Sequence, residues 1–280
     1  MKTIETIAEL RSELAHVERP LGLVPTMGAL HEGHMALVRQ ARHETKTLTA
    51  SIFVNPAQFG PHEDLSTYPR DMDADLAKME QAGVDLVFTP PVEEVYPGEF
   101  DTYVDVGRVA ARLEGERRPG HFRSVATVVC KLLAIVRPDR VYFGQKDAQQ
   151  CLVAKRLNAD MDLGAEIVVV PTVREADGLA LSSRNAYLSS PEREAATVLY
   201  RALMLASSMR DDGVTGTEAI RREMRSLIET EPLARIDYVS VADPDTLDEL
   251  DDVGSRALAS LAVRIGDTRL IDNTTLEGSR

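Results

Sequence analysis

Cysteine and long hydrophobic runs are scarce in this 280-residue sequence, and its 32 basic residues are outnumbered by 45 acidic ones. The two cysteines, Cys130 and Cys151, lie in helical patterns and are not spaced as a metal-binding pair, so we expect two reduced core thiols in a cytoplasmic protein. The formal net charge of −13 argues against general nucleic-acid binding, because no wide basic surface offsets phosphate repulsion. A small anionic ligand remains compatible with this charge if positive groups are concentrated locally.

The short hydrophobic runs exclude further classes of protein. No run approaches the ~20 residues of a membrane-spanning helix, so we expect no membrane association. The opening stretch MKTIETIAELRSELA is amphipathic and lacks a long apolar core, so we expect no signal peptide. With 44% hydrophobic and 28% charged residues, the composition is typical of a globular protein with one large or two smaller domains.

Apolar runs alternate with helical patterns from the N-terminus to residue 174. This alternation predicts an α/β fold, a parallel sheet with helices on both faces whose ligands bind at the carboxyl ends of the strands. The predicted strands are 21–25, 47–55, 84–90, 140–144 and 165–173, and the predicted helices are 33–45, 73–83, 121–138 and 147–161.

The pattern changes after residue 174. Two helical patterns are followed by three strand patterns, the last two of which are joined by a Gly-Asp turn. We therefore predict a larger domain at 1–174 and a smaller α+β domain at 175–280. The predicted helices of the smaller domain are 191–212 and 215–230, and its predicted strands are 235–243, 257–266 and 268–273.

The stretch PTMGALHEGHMALV, residues 25–38, follows a predicted buried strand and ends in a helical pattern. Its two glycines have P-loop spacing, but His34-Met35 stands where Lys-Ser/Thr is required, which argues against a Walker site. His31 and His34 fall about one turn apart at the helix start, where N–H groups favour an anion. Protonated imidazoles there suit a phosphate, whereas a zinc pair and an exposed turn are the alternatives.

A second motif, FGQKDAQQ (143–150), falls at the carboxyl end of the fourth predicted strand. Gly144 permits close backbone approach, Lys146 suits a phosphate and Asp147 suits a ribose hydroxyl. Gln149 and Gln150 suit hydroxyl and carboxylate groups, although each of these residues alone is typical of a solvated helix start.

Two further stretches follow predicted strands, and a third lies just ahead of the long helix predicted at 121–138. LALSSRN (179–185) supplies hydroxyl and guanidinium donors for terminal phosphates, with a capped interdomain turn as the alternative. VNPAQF (54–59) ends the second strand. RRPGHFR (117–123) is a basic cluster that either offsets the charge of an anionic substrate or is a solvated loop. The residues concerned are Ser182, Ser183, Arg184, Asn55, Gln58, Arg117, Arg118, His121 and Arg123.

Together, PTMGALHEGH, VNPAQF, FGQKDAQQ and LSSRN, in this order and spacing, closely resemble the pantoate–β-alanine ligase family over nearly the whole chain. The His-x-Gly-His element alone is shared across the nucleotidylyltransferase-like superfamily and is less specific. The resemblance implies a Rossmann-like N-terminal domain that binds ATP and pantoate, a smaller C-terminal lid domain and a homodimer. It also implies that (R)-pantoate and β-alanine are joined with ATP and Mg²⁺, through a pantoyl adenylate, with release of AMP and pyrophosphate.

The resemblance also implies site residues. His34 corresponds to the family's proton donor, with His31 beside it, and Lys146 joins them as the third catalytic candidate on its own position at a strand end. Gln58 and Gln150 would hold pantoate, and Gln58 would also contact β-alanine. The implied ATP-binding residues are Met27, Gly28, Ala29, Leu30, His31, Glu32, Gly33, His34, Gly144, Gln145, Lys146, Asp147, Val173, Leu181, Ser182, Ser183 and Arg184.

The sequence departs from the family pattern in two of these positions. Leu181 stands where methionine is frequent and Gln145 where glutamate is frequent. The replacement of methionine by leucine conserves volume and apolarity, so we expect little effect. The Mg²⁺ ligands match no motif. Two other functions remain open: a nucleotidylyltransferase that transfers AMP to a phosphate acceptor, and a zinc-binding or structural module built on the two histidines.

Overall fold

A computed structural model describes residues 1–61 and 63–278 of the chain. Up to residue 170 the described strands are separated by helices, and after it helices are followed by strands. The strands are β1 (Lys2–Ile4), β2 (Leu21–Thr26), β3 (Thr47–Ile52), β4 (Leu86–Phe88), β5 (Arg140–Gly144), β6 (Glu166–Val170), β7 (Ala234–Ala242), β8 (Arg256–Ile265) and β9 (Thr268–Glu277). The helices are α1 (Ile7–Leu14), α2 (Glu32–Glu44), α3 (Met72–Gln81), α4 (Val92–Val95), α5 (Glu114–Arg117), α6 (His121–Val136), α7 (Ala148–Asp160), α8 (Ser190–Ala195), α9 (Val198–Asp211) and α10 (Thr217–Glu229).

The chain divides into two compact units. The first unit contains Met1–Gln145 and Gln149–Pro171, and the second contains Lys146–Ala148 together with the chain from Thr172 onward. The division of function between 1–174 and 175–280 that the sequence suggests stays a prediction.

The first unit is built on a six-stranded sheet in the order β1-β4-β3-β2-β5-β6, with every neighbouring pair parallel. One face is covered by α1, α6 and α7, whose apolar side chains surround Leu23 and Val141. The other face is covered by α2 and α3 around Val24 and Tyr142. Because β2 is buried on both faces, its sequence LGLVPT reads as a continuous apolar run. The predicted α/β class with helices on both faces is confirmed.

The second unit contains an antiparallel sheet in the order β7-β8-β9, covered on one face by α9 and α10. Ile265 pairs with Thr268 in register, so Gly266 and Asp267 form the two-residue turn that the sequence predicts. Gly266 has φ +56, a left-handed conformation that such a turn requires.

Several element boundaries differ from the sequence prediction. The three-residue strand β1 was not predicted, since of its side chains only Ile4 is buried. The single helix predicted at 191–212 is two helices, α8 and α9, separated at 196–197. The strand predicted at 268–273 continues to Glu277. None of the helices in the described ranges is long and apolar enough to cross a membrane.

Candidate active site

The carboxyl ends of β2 and β5 form the switch point of the parallel sheet. From β2 the chain continues to β3 and β4 on one side, whereas β5 and β6 lie on the other side. Loops that leave two such neighbouring strands diverge and open a crevice in which doubly wound sheets bind their ligands. The loop after β2 runs from Met27 to His31, and the chain after β5 begins at Gln145. The first two sequence motifs therefore start at the edge where this fold binds ligands.

The loop after β2 is held by helix α3. Gly28 and Ala29 both have left-handed backbones, with φ +84 and φ +51. The carboxylate of Asp75, only 2% exposed, accepts hydrogen bonds from the N–H of Ala29 at 2.8 Å and the N–H of Leu30 at 2.8 Å. Lys78 Nζ donates to the carbonyl of Leu30 at 2.6 Å. Sequence analysis missed both α3 residues, although Asp75 lies on the buried side of α3, four positions before the buried Met79.

His31 and His34 cap helix α2 reciprocally. His31 is the N-cap residue, and its Nδ1 accepts from the N–H of Gly33 at 3.1 Å. His34 Nδ1 accepts from the N–H of His31 at 3.3 Å, which completes a capping box formed by two imidazoles. The ring centroids are 4.1 Å apart with an interplanar angle of 39°. The predicted placement of both histidines at a helix start is therefore observed.

This capping distinguishes the two nitrogens of each ring. In both hydrogen bonds Nδ1 is the acceptor from a backbone N–H, an arrangement that suits the tautomer with its proton on Nε2. It differs from the protonated imidazoles that the sequence suggested, in which Nδ1 would be a donor. The donor that each ring offers is Nε2–H, a neutral hydrogen-bond donor of the kind that stabilises developing negative charge.

Gln58 lies in a short 3₁₀ turn after β3, next to Met27. Its Nε2 donates to Met27 Sδ at 2.8 Å, and its Oε1 accepts from Asn55 Nδ2 at 3.1 Å. Asn55 is 1% exposed and also accepts from the Tyr96 hydroxyl at 3.0 Å. Burial raises the pKa of Tyr96 to about 12, so this hydroxyl stays a donor at neutral pH. Two sequence-predicted residues, Met27 and Gln58, are thus in contact.

One arginine of the basic cluster at 117–123 is paired with an acidic side chain of the same unit. Arg118 forms a bidentate ion pair with Glu63, with N–O distances of 2.7 and 2.6 Å. Arg118 also donates to His121 Nε2 at 3.1 Å. His121 Nδ1–H donates to the backbone carbonyl of Gln58 at 3.0 Å. The Arg123 guanidinium lies 4.3 Å from the ring centroid of Tyr103. Glu63 therefore balances the charge of Arg118, and the role of the cluster toward an anionic substrate stays a prediction.

Burial and charge shift two pKa values in this cluster. Burial first, and the neighbouring Arg118 second, lower the pKa of His121 to about 4, so His121 is neutral at physiological pH. For Glu63, burial acts to raise the pKa, but the hydrogen bond and charge of Arg118 outweigh it and hold the pKa below its ordinary value.

The FGQKDAQQ motif spans the end of β5, the 3₁₀ turn Gln145–Asp147 and the start of α7. Lys146 Nζ lies 3.7 Å from Asp147 Oδ1, and the Lys146 side chain is 20% exposed. The backbone carbonyl of Lys146 accepts from the side-chain amide of Asn273, a residue that sequence analysis did not select. Gln150 is half-buried in the first turn of α7.

The sequence suggested that Gln149 binds hydroxyl and carboxylate groups of a ligand, but its side chain has a different role in the structure. Its side chain is buried, and its Nε2 donates to the carbonyls of Val109 at 2.8 Å and Arg112 at 2.7 Å. Its Oε1 accepts from the N–H of Glu114 at 3.0 Å. Gln149 therefore holds the 109–114 segment, because these three bonds use both N–H donors and the carbonyl oxygen of its amide.

In the second unit, the 173–184 segment brings two predicted ATP contacts together. The N–H of Leu181 donates to the carbonyl of Val173 at 3.0 Å, and Arg174 forms an isolated bridge with Ala180. Ser182 caps the following 3₁₀ turn, Ser183–Tyr187, by accepting from the N–H of Arg184 at 3.3 Å. Ser183 and Arg184 are half-buried at the start of this turn.

A preformed metal centre does not fit the described residues. Over residues 1–61 and 63–278, no group of three or more His, Cys, Asp and Glu side chains is arranged to hold a metal ion. Zinc in proteins is held by at least three protein ligands. In the described part of the chain, the histidine pair has no third ligand of this type beside it. Magnesium differs, because it commonly keeps water and substrate phosphates as most of its ligands.

Comparison with known proteins agrees with the fold and with the motifs. The profile described as pantoate-beta-alanine ligase matches residues 2–275. A pantothenate synthetase from Roseiflexus sp. (strain RS-1) is 61% identical over 277 residues, covering 99% of this chain and 100% of that protein. One from Chloroflexus aurantiacus (strain ATCC 29366 / DSM 635 / J-10-fl) is 58% identical over 279 residues, covering 99% of each.

Solved structures agree as well. The crystal structure of pantothenate synthetase from Thermus thermophilus superposes with a TM-score of 0.94 at 49% identity, covering 98% of this chain and 99% of that one. The pantoate-beta-alanine ligase from Francisella tularensis, complexed with beta-gamma ATP and beta-alanine, gives a TM-score of 0.81 at 34% identity, covering 98% and 97%. Sequence, fold and motif positions thus lead to one assignment: this chain belongs to the pantoate-beta-alanine ligase family.

Proposed function

We propose that this chain carries out the ligation of its family, joining (R)-pantoate to β-alanine with ATP through a pantoyl-adenylate intermediate. In the first step a pantoate carboxylate oxygen attacks the α-phosphorus of ATP, and the bond to the departing pyrophosphate breaks. In the second step the β-alanine amine attacks the acyl carbon, AMP leaves and the nitrogen loses its proton. A carboxylate and an amine need this activation, because they do not condense in water at neutral pH.

The first unit supplies the histidines to the first step. His31 and His34 contact the ATP phosphates through Nε2–H, where hydrogen bonds strengthen as charge moves onto pyrophosphate. The remaining residues from Met27 to Gly33, with Gly144 and Gln145, line the nucleotide site. Gln58 and Gln150 bind pantoate, since an amide offers both a donor and an acceptor to a hydroxy acid, and Gln58 also contacts β-alanine.

The second unit supplies cationic and hydroxyl groups. Lys146 neutralises phosphate charge and is the third catalytic residue, with Asp147 beside it at the nucleotide. Val173, Leu181, Ser182, Ser183 and Arg184 complete the ATP contacts. The smaller domain acts as a lid that excludes water, because the mixed anhydride is prone to hydrolysis.

Several properties of the working enzyme belong to this proposal. ATP enters with Mg²⁺ held chiefly by the phosphates, since the described residues offer no cage of their own. The enzyme is a cytoplasmic homodimer that acts on small molecules only.

The observation that carries the proposal is the reciprocal capping of His31 and His34 beside the sheet switch point, which engages Nδ1 of each ring and holds both imidazoles at a helix start. The test is pantoate-dependent exchange of labelled pyrophosphate into ATP, measured without β-alanine. We expect exchange that requires pantoate, and AMP formed in equal amount with the amide product when β-alanine is added. A nucleotidylyltransferase would instead need a phosphate acceptor and release no free AMP, and that result would refute the ligase assignment.

A further inference from the structure

Asp75 is a carboxylate buried in the first turn of helix α3. The helix begins at Met72 and is capped by Asp71, whose side chain accepts from the N–H of Ala74 at 3.0 Å. Asp75 itself is 2% exposed. A buried carboxylate needs hydrogen bonds that replace its water, so the groups around Asp75 indicate its role.

Those groups are two consecutive amides of the loop after β2. Oδ2 accepts from Ala29 and Oδ1 accepts from Leu30, both at 2.8 Å. Consecutive N–H groups near left-handed residues form a concave site for an anion, and here the anion is a side chain of the same protein. A Cβ on Gly28 would lie 3.0 Å from Oδ2 and 3.2 Å from Ile52 Cγ2, so the loop and the carboxylate fit closely.

Lys78 binds the same loop residue from the other side. It lies three residues further along α3, and its Nζ donates to the carbonyl of Leu30 at 2.6 Å. Leu30 is therefore held at its N–H by Asp75 and at its carbonyl by Lys78. The Leu30 side chain is also buried, in the core cluster that contains Met79 of the same helix.

The residue after Leu30 is His31, the N-cap of α2. The position of Leu30 therefore determines where the two-histidine cap begins. The amide N–H groups of Ala29 and Leu30 already donate to Asp75, so they do not bind a second anion. An anionic ligand at this loop would be bound by the imidazoles instead.

We propose that Asp75 and Lys78 are positioning residues for adenylate formation, acting through Leu30 on His31 and His34. The Asp75 carboxylate fixes the conformation of the loop by accepting its two N–H groups. The ATP phosphates are thereby left to bind the imidazole donors. This inference rests on the proposed function, because it explains how the histidines of that same site are held in position.

The experiment compares Asp75→Asn and Lys78→Met with a matched control, Asp73→Asn, an exposed acid on the same helix. Asparagine keeps the shape of Asp75 but turns one acceptor into a donor that faces an N–H. Adenylation is followed by pantoate-dependent pyrophosphate exchange, and the second step by the reaction of synthetic pantoyl adenylate with β-alanine. Melting temperatures are recorded for every variant.

For folded Asp75→Asn we expect adenylation to fall about 10- to 100-fold, the usual effect of losing an outer-shell partner. We expect a smaller fall for Lys78→Met, with the β-alanine step and Asp73→Asn close to wild type. Unchanged adenylation in folded Asp75→Asn, or equal slowing of both steps, would overturn the inference. Restoration of adenylation in Asp75→Asn by high Mg²⁺ would also overturn the inference, because it would show that the Asp75 carboxylate binds the cation.

If Asp75→Asn does not fold, Lys78→Met decides, since Lys78 is an exposed residue whose replacement leaves the core intact. Slower adenylation in Lys78→Met supports the inference, and wild-type adenylation overturns it. If wild-type protein shows no pantoate-dependent exchange, the proposed function itself fails, which is a distinct result.

Discussion

The side-chain amide of Asn273 donates a 2.9 Å hydrogen bond to the backbone carbonyl of Lys146. The N–H of Asn273 in turn donates to Asp272 Oδ1 at 2.8 Å. Asp272 is 2% exposed and binds Arg174 through two bonds of 2.6 and 3.0 Å. Strand β9 therefore fixes both the turn that carries Lys146 and the start of the segment that leads to Ser182–Arg184.

We predict that Asn273→Asp slows adenylation by about 10- to 100-fold, with a smaller effect on KM for ATP. The carboxylate has the same shape but cannot donate to the Lys146 carbonyl, so the lysine loses its placement. Steady-state kinetics with ATP as the varied substrate would separate kcat from KM.

Ser260→Ala is the matched control for Asn273. Ser260 is the register partner of Asn273 on β8, and its buried Oγ has no hydrogen-bond partner among the described atoms. A kcat loss in Ser260→Ala as large as in Asn273→Asp would show a general effect of disturbing the sheet.

Removal of the Lys146 side chain should slow adenylate formation by about 100-fold or more, as for other donors that stabilise transition-state charge. Lys146→Ala should melt near the wild-type temperature, since its ammonium is 3.7 Å from Asp147 in a partly exposed pair of small energetic value. Lys155→Ala, exposed on α7, is the control. Single-turnover adenylation within a few-fold of wild type would remove Lys146 from the catalytic group.

The capping and ligand-binding roles of His34 can be separated by two substitutions. In His34→Asn, Oδ1 replaces Nδ1 as acceptor for the N–H of His31, but no group replaces Nε2–H. We expect an intact helix start and adenylation slower by about 100-fold, with the β-alanine step much less affected.

In His34→Gln the amide reaches the Nε2 position, so adenylation should fall less. Single-turnover measurement of each half-reaction is the assay, and His43→Asn in the last turn of α2 is the control. Equal loss in both His34 variants, accompanied by a lower melting temperature, would mean that capping is the only role.

The depressed pKa of His121 predicts a pH-dependent stability. The unfolded chain protonates this histidine near pH 6.5, whereas burial and Arg118 hold its folded pKa at about 4. Between these values the unfolded state binds the extra proton, so the free energy of unfolding falls as pH decreases from about 6.5 to 4, by roughly 1–3 kcal/mol.

His121→Asn keeps a donor for the Gln58 carbonyl but does not titrate. Urea denaturation from pH 7 to pH 4.5 should therefore show a shallower pH slope for this variant than for wild type. Identical slopes would place the titration elsewhere.

The two adjacent glutamines should respond in opposite ways. Gln149→Ala removes the side-chain bonds to Val109, Arg112 and Glu114 and should lower the free energy of unfolding by roughly 1–3 kcal/mol. Gln150→Ala should leave stability near wild type and weaken pantoate binding much more than ATP binding. Titration of each variant with both ligands, beside chemical denaturation, is the check. Equal loss of pantoate and ATP affinity in Gln150→Ala would argue that Gln150 acts on the general shape of the site.

Much of the fold was predictable because buried strands and tight turns have recognisable sequence patterns. Strand β2 is buried on both faces and appears as an uninterrupted apolar run, and the Gly266-Asp267 turn has a chemistry of its own. Strand β1 escaped prediction because it is three residues long and gains its place only by pairing with β4. The break between α8 and α9 left no proline or glycine in the sequence to reveal it.

The candidate site was predictable where ligand-facing residues stand in one short motif. The partners that hold those residues lie far along the chain, as Asp75 does from Ala29 and Asn273 does from Lys146. In the sequence, Asp75 is one more acid in an acidic helix, and Glu63 gives no sign that it neutralises Arg118. Gln149 and Gln150 look equivalent until the helix turns one of them inward.

The turn Lys146–Ala148 belongs to the second unit, although Gln145 and Gln149 on either side of it belong to the first. The two units are therefore not separable at one cut. A C-terminal fragment that starts at Thr172 would contain Asn273 without the carbonyl it binds, and an N-terminal fragment would contain the lysine without its anchor. Because the acceptor is a backbone carbonyl, exchange of the C-terminal module between family members would keep this bond only when the incoming module carries a side-chain donor at residue 273.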